Sequence, residues 1–253
     1  MTSLDSTTTT AAPRPRTSTP RRRAFRFERR CLRMLIGFCG IFAVAVLSLS
    51  LLADIHVGFL LILMAARLPA DIGRHGGEQE RLLRSSLGIS RADAVRTHFW
   101  MVLLCQLPLV VAAAWSILGR EYGADDSHWS TFNYSPGPST PVLRDHLVDI
   151  GLWVAAILWV HALLGGEASR PGRGPSGARA IALFLGICIL EWFLVIGMWA
   201  VTRLVTAPDP GAGDYDARMI DAGLAAQWLA LVIALGSAVA VLLWRRRRWI
   251  REA

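Results

Sequence analysis

Ile55-His56-Val57-Gly58-Phe59-Leu60-Leu61-Ile62-Leu63-Met64-Ala65-Ala66-Arg67-Leu68-Pro69-Ala70 decides the fold, because this run is either a short bilayer crossing or no crossing at all. A spanning helix needs about 20 apolar residues at 1.5 Å rise each. The run falls short of that. Either Arg67 snorkels from its end into the headgroups, or the segment is re-entrant.

The rest of the chain settles the count. All 27 basic residues are arginine, and they are sorted. Five further apolar stretches flank the short one, at about 32–51, 98–118, 146–165, 178–205 and 222–244. With 55–70 counted as a sixth crossing, 23 of the 27 arginines fall on one side, in Arg14–Arg33, Arg67–Arg96, Arg170–Arg179 and Arg245–Arg251. Arg120, Arg144, Arg203 and Arg218 fall on the other. Such an excess marks cytoplasmic segments. Both termini are strongly basic, so both belong in the cytoplasm, and the number of crossings is even. The expectation is an all-α polytopic bundle of six transmembrane helices, with a tight outer hairpin near Ala53–His56.

Composition agrees. The chain is 53% hydrophobic and 18% charged, against about 25% charged in a soluble domain, and its mean hydropathy is +0.41. The net charge of +8 reflects arginines that flank apolar spans, so no nucleic-acid partner is implied. The lipid bilayer is the implied partner. Residues 1–30, rich in Thr, Ser, Pro and Arg, read as a disordered basic cytosolic tail. The run from Met34 to Ala53 is too long for a signal-peptide core, so it is a retained helix. The transmembrane domain covers 31–245, and 246–253 is a second basic tail.

Cys31, Cys39, Cys105 and Cys188 have no CxxC spacing, so neither a disulfide framework nor a metal site is expected. Trp100, Trp115, Trp153 and Trp244 lie near span ends, where aromatic belts form, whereas Trp159 and Trp192 lie deeper, as packing residues.

Between the second and third spans runs Gly76-Gly77-Glu78-Gln79-Glu80-Arg81-Leu82-Leu83-Arg84-Ser85-Ser86-Leu87-Gly88-Ile89-Ser90-Arg91-Ala92-Asp93-Ala94-Val95-Arg96. Leu82, Leu83 and Leu87 share a helical face. Gly88 breaks the run, and Ser90 caps a new helix with Asp93 three residues on. On physical grounds the segment is either an ordinary solvated loop or a docking element.

This stretch resembles the cytosolic coupling region of ABC-2-type permeases, the membrane subunits of ABC exporters. Glu78 or Glu80 stands where that family has its acidic residue, and Leu82 to Arg91 with Val95 follow its pattern. Gly88 replaces the usual proline, and Ser86 is one residue extra. The resemblance implies that Glu78, Glu80, Leu83, Leu87, Ile89, Ser90 and Arg91 couple to a separate ATP-binding subunit. It also implies a second permease copy or paralogue and a place in the plasma membrane of a bacterium. This chain has no GxxxxGK[ST] loop, so it binds no ATP by that route, and its partner would use the nucleotide. One departure is the polar loop Thr206–Asp221, where the family often carries short apolar re-entrant helices.

Glu191 stands inside the fifth span, where a charge costs roughly 2.5–3.5 kcal/mol or more. It serves either as a structural hydrogen-bonding group or as part of a pathway. Gln106, His161 and Gln227 are its candidate partners. Gly211-Ala212-Gly213-Asp214 matches the G-x-G-D of intramembrane aspartyl proteases but reads as a turn between prolines. HExxH and GxSxG are missing, so no enzyme is expected. The expectation is the permease subunit of an ATP-driven exporter of unspecified cargo. The alternative is a membrane anchor, assembly or sensor protein that uses the outer loop Gly119–Arg144.

Overall fold

A computed structural model describes residues 19–53, 58–74, 78–121, 142–168, 176–206 and 215–251. Every element in them is a helix: α1 (Pro20–Cys31), α2 (Arg33–Ala53), α3 (Gly58–Arg74), α4 (Glu78–Ser86), α5 (Arg91–Glu121), α6 (Val142–Ala168), α7 (Gly177–Thr206) and α8 (Tyr215–Arg251). Segments of α5, α6, α7 and α8 are long and apolar enough to cross a membrane, which marks the chain as a membrane protein. α1 and α2 together form a fifth such unit, bent by 57°. α3 has 17 residues, roughly 25 Å at 1.5 Å per residue, just under the hydrocarbon thickness of about 30 Å.

The short helix is the inner one. Leu61, Ile62, Ala65, Ala66, Leu68, Ala70 and Ile72 of α3 are all buried, and α3 packs on α5, α6 and α7. Its length is less of a burden there, because its flanks meet protein. Pro69 lies within it. Proline has no N–H, so the carbonyl four residues earlier, that of Ala65, has no helical donor. Gln106 of α5 supplies one, its Nε2 donating to the Ala65 oxygen at 3.0 Å. Such repair by a neighbouring helix is how membrane helices tolerate proline.

Around α3, α6 packs on α8 and α7 on α8. α8 turns a stripe of buried alanines inward, Ala222, Ala226, Ala230, Ala234 and Ala238. Small residues let helix backbones approach where no hydrophobic drive exists between apolar surfaces. Gly151 of α6 does the same opposite Leu231.

One end of the bundle gathers arginines and aromatics. Arg246 lies over the rings of Phe99 at 5.1 Å and Trp100 at 5.5 Å. Trp249 packs against Gly165. Arg67 pairs with Asp71 at 2.9 Å and lies against Gly177 at the start of α7, so its guanidinium has protein partners. This end therefore joins the tails of α3, α6 and α8 to the starts of α5 and α7.

Three expectations are corrected. The disordered tail 1–30 does not hold for Pro20–Cys31, which is helical. Pro20 suits a first helical turn, and Ala24 and Phe27 pack with Ile89 and Ala94 at the α5 start. Residues 1–18 lie outside the described ones. Trp153 is not a belt residue. It is 7% exposed and meets the ring of Phe59 edge-on at 6.1 Å, because its face of α6 turns toward α3. Trp192, expected to pack, is exposed. The hairpin residues 54–57, most of the outer loop 119–144 and the G-x-G-D turn lie outside the described residues.

Candidate functional site

The elbow between α4 and α5 is built from local backbone chemistry. α4 is closed just past its end by Gly88, whose φ is +64°. The Gly88 N–H donates to the Ser85 carbonyl and the Ile89 N–H to the Arg84 carbonyl, both at 3.0 Å. This is the paired closure of a Schellman cap, which places glycine in the left-handed region. Two residues on, Ser90 caps α5. The Asp93 N–H donates to its hydroxyl at 3.1 Å, and that hydroxyl donates to the Asp93 carboxylate at 2.9 Å. The chain thus stops one helix and starts another within four residues.

The elbow is fixed to α1. Glu28, almost fully buried, pairs with Arg84 at 2.6 Å, and the Arg84 guanidinium also lies 6.0 Å from the Phe27 ring centre. Ile89 inserts beside Ala24 and Ala94. Arg84 of α4 consequently turns toward α1, while the neighbouring leucines face out. Leu82, Leu83 and Leu87 are 64%, 55% and 43% exposed.

The expected coupling residues therefore separate into groups. Leu83 and Leu87 are exposed apolar side chains, and Arg91 is exposed beside them in sequence. Ser90 is occupied as a cap, and Ile89 is buried at 8% exposure, so both hold the elbow's shape. Glu78 and Glu80 lie in the first turn of α4, and their side chains are outside the described ones.

The four polar residues read as intramembrane have different surroundings. Gln106 serves the α3 carbonyl. His161 is buried, with its ring 5.0 Å from that of Phe99 at the arginine-rich end. Gln227 is buried on α8. Glu191 is 5% exposed, on the inward face of α7 that also carries Ala180, Phe184 and Val195. Neither of its carboxylate oxygens has a hydrogen-bond partner among the described residues. Sequence reasoning did not single out Glu28 or Asp149, both buried. A lone acid within an arginine-rich run was the available signal for Glu28.

Among the described residues, no group of three or more His, Cys, Asp or Glu side chains could hold a metal ion. No family model, no curated protein and no solved structure matches the chain.

Proposed function

We propose that the chain is the transmembrane permease subunit of an ATP-driven exporter, and that a separate ATP-binding subunit docks on the outward leucine face of α4. The observation that carries this reading is the row of exposed leucines on and just after α4. A short helix that ties Arg84 to the buried Glu28 and leaves Leu82, Leu83 and the following Leu87 exposed offers an apolar patch at the arginine-rich end of the bundle. A large apolar side chain seated in a partner's pocket is the usual anchor of a protein interface. Clamping α4 to α1, closing it at Gly88 and capping α5 at Ser90 allow a push on the patch to move α5 as a rigid lever.

In this reading the arginine-rich end faces the cytoplasm of a bacterium, both termini lie there, and six helices cross the plasma membrane. A second permease, identical or paralogous, completes the pathway, and the ATPase alone uses ATP. Alternating access then follows from rocking of one bundle against the other.

Co-purification tests the docking face. A tagged chain is expected to retain a phosphate-loop ATPase from its own membranes. Leu83→Asp and Leu87→Asp should abolish retention with little change in thermal midpoint, because both side chains are already exposed. Ile89→Asp should lower the midpoint itself, since it puts a charge into the α1–α5 contact. An ATPase complex left intact by both leucine substitutions would sink the proposal.

A further inference from the structure

We propose that α1 is an interfacial helix whose basic face binds anionic phospholipid headgroups. The inference rests on α2 entering the bilayer and needs no ATPase partner. At 100° per residue, Ala24, Phe27 and Glu28 share one side of α1, the side that packs on the α4–α5 elbow. Arg22, Arg26, Arg29 and Arg30 share the opposite side, and all four are exposed. The protein thus holds α1 by one face and presents four guanidinium groups on the other. Phe25, 41% exposed, flanks that basic face as an apolar group suited to the headgroup boundary.

The bend sets the distance. Arg22–Cys31 joins Arg33–Ser48 at 57°. Ten helical residues are roughly 15 Å long, so α1 extends only about 8 Å along the α2 axis. That is about one Debye length at physiological salt. The whole basic face therefore stays within the field of an anionic leaflet, where each arginine contributes roughly fivefold in affinity. Guanidinium groups also match phosphate with paired hydrogen bonds. A soluble acidic protein has no reason to prefer a face held this close to the membrane entry of α2.

Photocrosslinking from α1 tests the proposal on the full chain. Phe25→p-benzoylphenylalanine is reconstituted in vesicles of phosphatidylglycerol and phosphatidylcholine in equal amounts, irradiated, and its lipid adducts are identified by mass spectrometry. Phosphatidylglycerol adducts should exceed phosphatidylcholine adducts at least about fivefold. The ratio should fall to one in R22Q/R26Q/R29Q/R30Q, persist when the same four become lysine, and fall in half-molar salt without any substitution. A ratio of one in the parent protein would overturn headgroup recognition, as would a ratio unmoved by the glutamines and salt or lost in the lysine variant. No lipid adduct of either kind would overturn the placement of α1 at the membrane. Neither result bears on ATPase docking.

Discussion

The side-chain amide of Gln106 donates to the main-chain carbonyl of Ala65, the one carbonyl of α3 that Pro69 deprives of its helical donor. The two residues sit on different helices, 41 positions apart, and the bond ties the inner helix to α5 at its weakest point. Gln106 is therefore explained by the backbone of α3, and a transport pathway is not needed to account for it.

That pairing has a double-mutant signature. Gln106→Leu removes the donor and leaves a buried carbonyl unsatisfied, at a cost of about 1–3 kcal/mol. Pro69→Ala restores an N–H to α3. In the Gln106→Leu background it should recover most of the loss, and with Gln106 present it should change stability much less. Denaturant unfolding in micelles of the four proteins measures the coupling. Additive effects would mean that the two residues act independently.

The Glu28–Arg84 pair should fail asymmetrically. Glu28 is 3% exposed at its side chain and Arg84 is 24% exposed. Arg84→Ala removes a guanidinium from a buried carboxylate, which costs about 3 kcal/mol. Glu28→Ala leaves a guanidinium that can turn to water, so its cost should be about 1 kcal/mol. The double variant should be more stable than Arg84→Ala alone. The same unfolding measurement on the three variants decides it, and equal costs for the two single variants would contradict the burial asymmetry.

Gly88 isolates a backbone effect. A Cβ built there meets nothing within 4 Å, so Gly88→Ala should cost only the left-handed penalty of about 1–2 kcal/mol. Gly88→Asn should cost less, because asparagine adopts this region more readily. Gly88→Pro should disrupt the elbow, since proline fixes φ near −65° and the cap needs +64°. Thermal midpoints of the three variants rank these costs, and a harmless proline would refute the cap.

Much of the helical layout is legible in the sequence. Apolar runs of 16 to 28 residues mark helices wherever they fall, and six helices occupy the six expected stretches. The stop at Gly88 and the cap at Ser90 are also legible, because both are made by residues within five positions of each other. What depends on distant partners is not. Residues 20–31 carry a proline and six arginines, a composition that reads as disorder until Ile89 and Arg84 offer a surface to pack on. The inner position of α3 is hidden for the same reason. Hydropathy gives the length of a run, whereas the burial of Leu61 and Ala65 depends on α5, α6 and α7. Within the candidate site, pattern alone groups Ile89 with Leu83 and Leu87, because it cannot tell an apolar side chain that faces in from one that faces out.

Glu191 offers the sharpest contrast between stability and use. It is buried on α7, and both carboxylate oxygens lack hydrogen-bond partners among the described residues. An acid in that setting costs the fold up to about 3 kcal/mol. Glu191→Leu should therefore raise stability by about 1–3 kcal/mol, with Glu191→Gln between it and the parent. Residues that cost stability are typically those that function needs, so under the proposed permease function transport by reconstituted Glu191→Leu should fall even as its midpoint rises. A leucine variant that is less stable than the parent would show that the carboxyl group holds helices together. One that is more stable and transports normally would remove Glu191 from the pathway.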